Sequence, residues 1–266
     1  NSMNKVIRAE FGRTINAGLI IAIAGIIFSI CFDSFNDLIA GLRNGQGYVG
    51  YFFSNAAFGG MCTHYMLPVF TALPFSVSLC QERNNKAVSY IVSREGKNRY
   101  IFAKFIVSAI SGGFVAACGT VLLFLMLAMR FPIAGDEFEG AVVSDYFHEW
   151  SAVYYPQLYI LTLSILAFCR GVIWSSLALC VSLYTSDFMV VLLSPFLGSY
   201  VLVRIFQIIR VPDMVRPDMI LIGQVVIKSS GLTLIIAIAI SLTIVTLIGA
   251  FFVGKMKEGL KSGTIY

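Results

Sequence analysis

Charge is what this sequence has least of. Only 12% of its 266 residues are Asp, Glu, Lys or Arg, against 58% hydrophobic, and the mean hydropathy is +0.84. A soluble domain carries about 25% charged residues, so the composition excludes disorder, a nucleic-acid-binding domain and an ordinary cytosolic enzyme. Histidine occurs twice, at His64 and His148, both in expected loops and neither within an HExxH. No Asp or Glu falls inside an expected span, so an aspartyl-type membrane protease and a carboxylate proton relay both lack their residues. The six cysteines show no CxxC spacing, which supports neither a metal site nor a disulfide framework. Internal repeats and a domain-length soluble insertion are missing too. What these absences leave is an integral membrane protein.

A catalytic centre is equally hard to find. Residues 249–256 read GAFFVGKM, but Met256 stands where a P-loop needs a magnesium-binding hydroxyl. They also end an apolar span, whereas a P-loop joins a strand to a helix. His148-Glu149-Trp150 reads as a polar loop. The chain is therefore expected to have no catalytic residue, no metal and no cofactor of its own.

Crossing a bilayer takes about 20 mostly apolar residues. Six stretches qualify, at 15–32, 65–80, 101–129, 158–184, 188–209 and 232–253, giving an all-α membrane protein of six transmembrane helices. Pro68 and Pro74 predict kinks in the second. Twelve of the nineteen Lys and Arg lie before the first span, in the loop after the second and in the C-terminal tail, and five in the opposite loops. The positive-inside rule then places both termini in the cytoplasm of a multi-pass protein of the cell membrane. Residues 1–14 comprise an Asn1-Ser2 cloning remnant and an amphipathic segment, with Val6, Ile7 and Phe11 set against Lys5, Arg8 and Arg13. That segment reads either as an interfacial helix or as a positive-inside anchor. Residues 15–253 form one transmembrane domain and 254–266 a cytoplasmic tail. The first apolar stretch has no cleavage site after it and is expected to be retained.

The outer loop 33–64 carries Tyr48, Tyr51, Phe52, Phe53 and Phe58, which predict a short helix at headgroup level. Loop 130–157 is acidic, 185–187 is a tight turn, and the apolar core of 220–227 is expected to dip back into the membrane. Gly18 and Ala22, and Gly112, Gly113, Ala116 and Ala117, stand at helix-packing spacing.

The cytoplasmic loop 81–104, QERNNKAVSYIVSREGKNRYIFAK, combines six basic residues with an apolar stripe of Ala87, Val88, Ile91 and Val92 on one helical face. A free loop has no need of such a stripe, whereas a short helix docking on a partner does. The order of features is Glu82 closing the second span, a helix over 86–92, Arg94 and Arg99, then Tyr100-Ile101 and Lys104 opening the third. It resembles the coupling-helix region of ABC-2 type permeases, the membrane subunits of type-2 ABC exporters, in the style of small peptide, bacteriocin-immunity and antibiotic export systems. The chain departs from that pattern at Lys86, where glycine is usual, and lacks the proline that often follows the helix. The resemblance implies a homodimer or related heterodimer of permeases above cytoplasmic ABC ATPase subunits that bind ATP and Mg. It also implies a coupling loop at 81–100 whose Glu82, Arg83, Lys86, Val88, Ile91, Val92 and Arg94 dock the ATPase. Plain topogenic charge is the competing reading of these basic residues.

Arg170 is the charge that sidedness leaves unexplained, since it lies near the middle of the fourth span. A mid-bilayer cation costs about 2.5–3.5 kcal/mol or more and requires a partner or water. Three readings stand: pairing with backbone carbonyls and hydroxyls, lining a hydrated substrate path that attracts an anion, or a helix break near Gly171. Trp174, one turn on, would share its face and stack on the guanidinium. Arg204 is placed to snorkel. Taken together these features predict an exporter permease for a peptide, antibiotic or other amphiphile. The competing class is a membrane-embedded enzyme or sensor acting without transport.

Overall fold

The computed structural model describes residues 2–44, 49–50, 52–53, 60–133, 150 and 155–262. It is all-helical, with no strand among the described residues. Helix α1 (Ser2–Thr14) meets α2 (Ala17–Asp33) at a bend of 61°. Asn16 makes the corner, its side chain capping the Leu19 amide. A short α3 (Phe35–Asn44) follows, then α4 (Met61–Ala72), α5 (Ser78–Asn84) and α6 (Val88–Glu95). The long helices are α7 (Lys97–Ala128), α8 (Pro156–Val181), α9 (Phe188–Ile209) and α11 (Ser230–Ser262), with a short α10 (Pro217–Ile222) before the last. Among the described residues, four helices are thus long and apolar enough to cross a membrane, or five if the bent α1–α2 pair is one span. The fold is that of a multi-pass helical membrane protein.

Five of the six expected stretches coincide with α2, α7, α8, α9 and α11. The expected second span is no continuous helix. It breaks after Ala72 and resumes at Ser78, because Pro74 offers no amide to carry the ladder on. The break is buried and anchored to its neighbours: Ser76 Oγ donates to the Ser175 carbonyl (2.9 Å) and shares a hydrogen bond with Ser108 Oγ (2.9 Å), while the Ser76 and Ser78 amides donate to the Ala72 and Phe75 carbonyls (3.1 and 2.8 Å). Broken backbone inside a bundle is tolerated on those terms.

Helix α8 is the hub, packed on α4, α7, α9, α10 and α11. Its closest approach is to α7, where a Cβ on Gly171 would sit 2.4 Å from the Gly112 carbonyl oxygen and one on Gly112 would sit 2.4 Å from Ser175 Cβ. The small residues at 112 and 113 therefore serve packing within the chain. Phe52 and Phe53 depart from expectation: both are buried in the main core, against Phe131 and Phe124. Tyr48, Tyr51, Phe58 and the acidic stretch 134–149, with His148, lie outside the described residues. Of the segment expected to dip, residues 220–222 belong to α10, and Ile220, Leu221 and Ile222 are buried.

Candidate functional site

Two places in the fold concentrate chemistry. One is the basic end of the bundle, where α1, α5, α6, the start of α7 and the end of α11 meet. Helices α7 and α11 have 32 and 33 residues, about 48 Å at 1.5 Å per residue, and so exceed an apolar core of about 30 Å. The excess turns make a platform. The expected C-terminal tail is helical to Ser262, and its Met256 and Leu260 are buried with Phe252.

That platform overturns the reading of the apolar stripe. Val88, Ile91 and Val92 are buried in one cluster with Tyr100, Ile101, Phe252, Met256 and Leu260, so the chain itself covers the face assigned to a partner. The outward face of α6 is instead Lys86, Ser89, Tyr90, Ser93 and Arg94, with Tyr90 67% exposed and the Arg94 guanidinium 6.0 Å from its ring centre. Arg83 turns inward, donating to the Ser182 and Leu183 carbonyls (2.9 and 3.2 Å) at the end of α8. Helix α5 ends in a paired turn, with the Ala87 amide on the Glu82 carbonyl and the Lys86 amide on that of Arg83. This geometry puts its third-from-last position against a left-handed residue. That residue is Lys86, at φ 52°, the position where glycine was expected.

Glu82, Tyr100 and Lys104, widely spaced in sequence, form one buried cluster. Lys104 is fully buried, and its Nζ donates to Glu82 Oε1 (2.7 Å) and Glu10 Oε2 (3.2 Å). Arg13 donates to the same two carboxylates, at 2.6 and 3.2 Å, and the Tyr100 hydroxyl donates to Glu82 Oε2. Two cations face two carboxylates, so the cluster is balanced and clamps α1 and α5 onto α7. Glu10 was missed from the sequence. Its signal was that it is the sole acid among the first 32 residues, set one turn from Val6 and Thr14 on the buried side of α1.

The second place is the cavity that holds Arg170. A polar mouth of about 150 Å³ is lined by His64, Tyr65, Arg170, Arg216, Asp218 and Gln224. It adjoins an apolar chamber of about 160 Å³ whose walls include Leu67, Ile173, Trp174, Leu177, Phe206 and Leu221, with Arg170 again at its edge. Arg216 is already matched: its guanidinium donates to Asp218 (2.7 and 3.3 Å) and Asp213 (3.2 Å). The hydrogen-bonded Asp218 carboxylate holds the Arg216 pKa above its ordinary value. Arg170 is not matched, for its Nε is buried with no hydrogen-bond partner. Helix α8 runs unbroken through Gly171, which removes the helix-break reading, and no carbonyl or hydroxyl pairing with Arg170 is found among the described residues. Trp174 lies against Gly198 of α9, where a Cβ would sit 3.2 Å from its ring, and no ring contact with Arg170 is seen. Arg204 is exposed, donating to Gln207 (3.0 Å) and lying 5.2 Å from the Tyr200 ring centre. His64, Arg216 and Asp218 were not foreseen at this cavity, because nothing local in sequence marks loop residues that fold back on α8.

No family model, curated protein or solved structure matches the chain. Its class accordingly rests on the fold and on these two places: a multi-pass helical membrane protein with an internal cavity.

Proposed function

We propose that this chain is the permease subunit of an ATP-driven exporter of the ABC-2 type, carrying a peptide, antibiotic or other amphiphile out of the cell. In this reading α4 and α5 together make the second crossing, giving six, with both termini cytoplasmic in the cell membrane. ATP and Mg bind a separate ATPase. The observation that carries the reading is the rigid elbow of α5 and α6. An eight-residue helix is too short to persist alone, yet α6 is held by the burial of Val88, Ile91 and Val92, and α5 before it by the Glu10–Arg13–Glu82–Lys104 cluster and by Arg83, while Lys86, Tyr90 and Arg94 stay outward. A locked elbow can pass a push from below to α7, and through the glycine contact to α8 and Arg170.

A second copy of the chain, or a related one, would pair through α9 and α11. Their apolar stretches are only 22% and 17% buried, against 56% and 61% for α7 and α8, which leaves them to lipid or to a partner helix.

The test is purification of the full chain from its native membranes. An ATP-binding-cassette ATPase is expected to stay bound, and the Tyr90→Glu/Arg94→Glu variant to lose it by tenfold or more at unchanged yield and melting temperature (about 1.4 kcal/mol per tenfold). Ile91→Asp, which the sequence alone recommends, would bury a carboxylate in the chain's own core and does not discriminate. Absence of any ATPase on the wild type, or full retention by the double variant, overturns the proposal.

A further inference from the structure

We infer that the Arg170 cavity is a binding site for a short anionic amphiphile, one negative head on the guanidinium and an apolar part of about six carbons in the chamber beside Trp174. As a substrate class this rests on the permease reading; as a binding site it does not.

The charge balance of the cavity comes first. Its walls carry Arg170, Arg216, Asp218 and His64. Asp218 is held by Arg216 through two hydrogen bonds, and His64 adds no negative charge in either protonation state. Among the described residues that line the walls, one positive charge is left over, on Arg170, whose Nε is buried without a hydrogen-bond partner; Asp213, the second carboxylate on Arg216, is exposed and stands outside the walls. A buried polar atom left unpaired marks a place where a group is missing, and a guanidinium presents planar donors that fit carboxylate or phosphate oxygens. The backbone that carries Arg170 is set by the close contact of Gly171 with Gly112, and the side chain lines the cavity from there.

Shape then sets the rest of the ligand. The chamber of about 160 Å³ is walled by Leu67, Ile173, Trp174, Leu177, Phe206 and Leu221, so it favours hydrocarbon. An apolar cavity of about 150 Å³ takes up benzene, which puts the apolar part near six carbons. Two acyl chains of a phospholipid do not fit that space, and a cation would meet the unmatched guanidinium. Hexanoate-sized carboxylates, or phosphates with an equivalent tail, satisfy both halves.

Trp174 supplies the readout, since the chain has only two tryptophans. With Trp150→Phe, the full chain in phosphatidylcholine nanodiscs is titrated with 6-bromohexanoate, whose bromine quenches a ring in contact with it. Saturable quenching is expected, with 6-bromohexan-1-ol and 6-bromohexylammonium at least about tenfold weaker, as for loss of a charge-assisted hydrogen bond. Arg170→Met is expected to weaken 6-bromohexanoate by a similar factor and Arg170→Lys to retain most of it. Equal quenching by the alcohol overturns the site on wild-type protein, even if Arg170→Met does not fold. Stronger quenching by acyl-brominated phosphatidylglycerol than by the phosphatidylcholine analogue also overturns it, in favour of a membrane lipid. Binding of 6-bromohexanoate by a chain that associates with no ATPase leaves the site standing and removes the permease reading.

Discussion

At the scale of single residues, the chain concentrates risk in a few charged side chains. Lys104 is fully buried and sits between Glu10 and Glu82. Removing one partner of such a cluster leaves a carboxylate uncompensated, so Lys104→Met is expected to lower unfolding stability by about 3–5 kcal/mol, read from denaturant or thermal unfolding in detergent. Arg170 behaves in the opposite sense. It has no partner to orphan among the described residues, and Arg170→Met is expected to leave stability unchanged or raised in the same measurement. Lys86 holds a left-handed backbone, which costs a side-chain-bearing residue about 1 kcal/mol relative to glycine. Lys86→Gly should therefore stabilise the α5–α6 elbow by about that amount, as a higher unfolding midpoint.

At the scale of elements, the fold is set by where helices are allowed to touch. Gly171 and Gly112 meet with no room for a Cβ, so Gly171→Ala should cost about 3 kcal/mol in a detergent unfolding assay. Gly254 has nothing within 4 Å of an added Cβ, and Gly254→Ala in the same helical context should gain about 0.5–1 kcal/mol. Element content was readable because apolar length and proline placement are local properties. The stretches at 101–129 and 188–209 coincide closely with α7 and α9; of the two prolines expected to kink the second span, Pro74 falls in its break and Pro68 lies inside α4. What lies between elements was not readable. The stripe of Val88, Ile91 and Val92 was correctly assigned to one helical face, but periodicity says that a face is buried and not against what. The covering residues, Phe252 to Leu260, come from more than 150 positions away, on helical turns that the sequence alone assigned to a tail.

At the scale of the whole molecule, the two functional places sit at different levels of one connected frame. On its outside, Tyr90 and Arg94 are exposed. Inside, the Glu10–Lys104–Glu82 cluster ties α1 and α5 to the base of α7, and the α7–α8 glycine contact carries that frame to Arg170. The candidate cavity was half legible. Arg170 announced itself as an unexplained mid-span charge, because a cation in an apolar run is costly wherever it points. Arg216 and Asp218 could not be joined to it, because their approach depends on α10 folding back into the bundle, nor could His64, whose approach depends on how α4 packs on α8. Among the described residues, the buried charges thus divide into a balanced set that holds the elbow, an Arg216–Asp218 pair at the cavity, and Arg170, whose Nε has no hydrogen-bond partner.

That division makes transport itself the most direct test. The full chain, reconstituted with the ATPase that the proposal expects to co-purify with it, is assayed for ATP-dependent movement of a hexanoate-sized anion in sealed vesicles. Wild-type protein is expected to move the anion only with ATP. Arg170→Met is expected to assemble normally and to lose at least about tenfold in rate, the equivalent of one charge-assisted hydrogen bond. Movement undiminished by Arg170→Met, or equal movement with and without ATP, would contradict it.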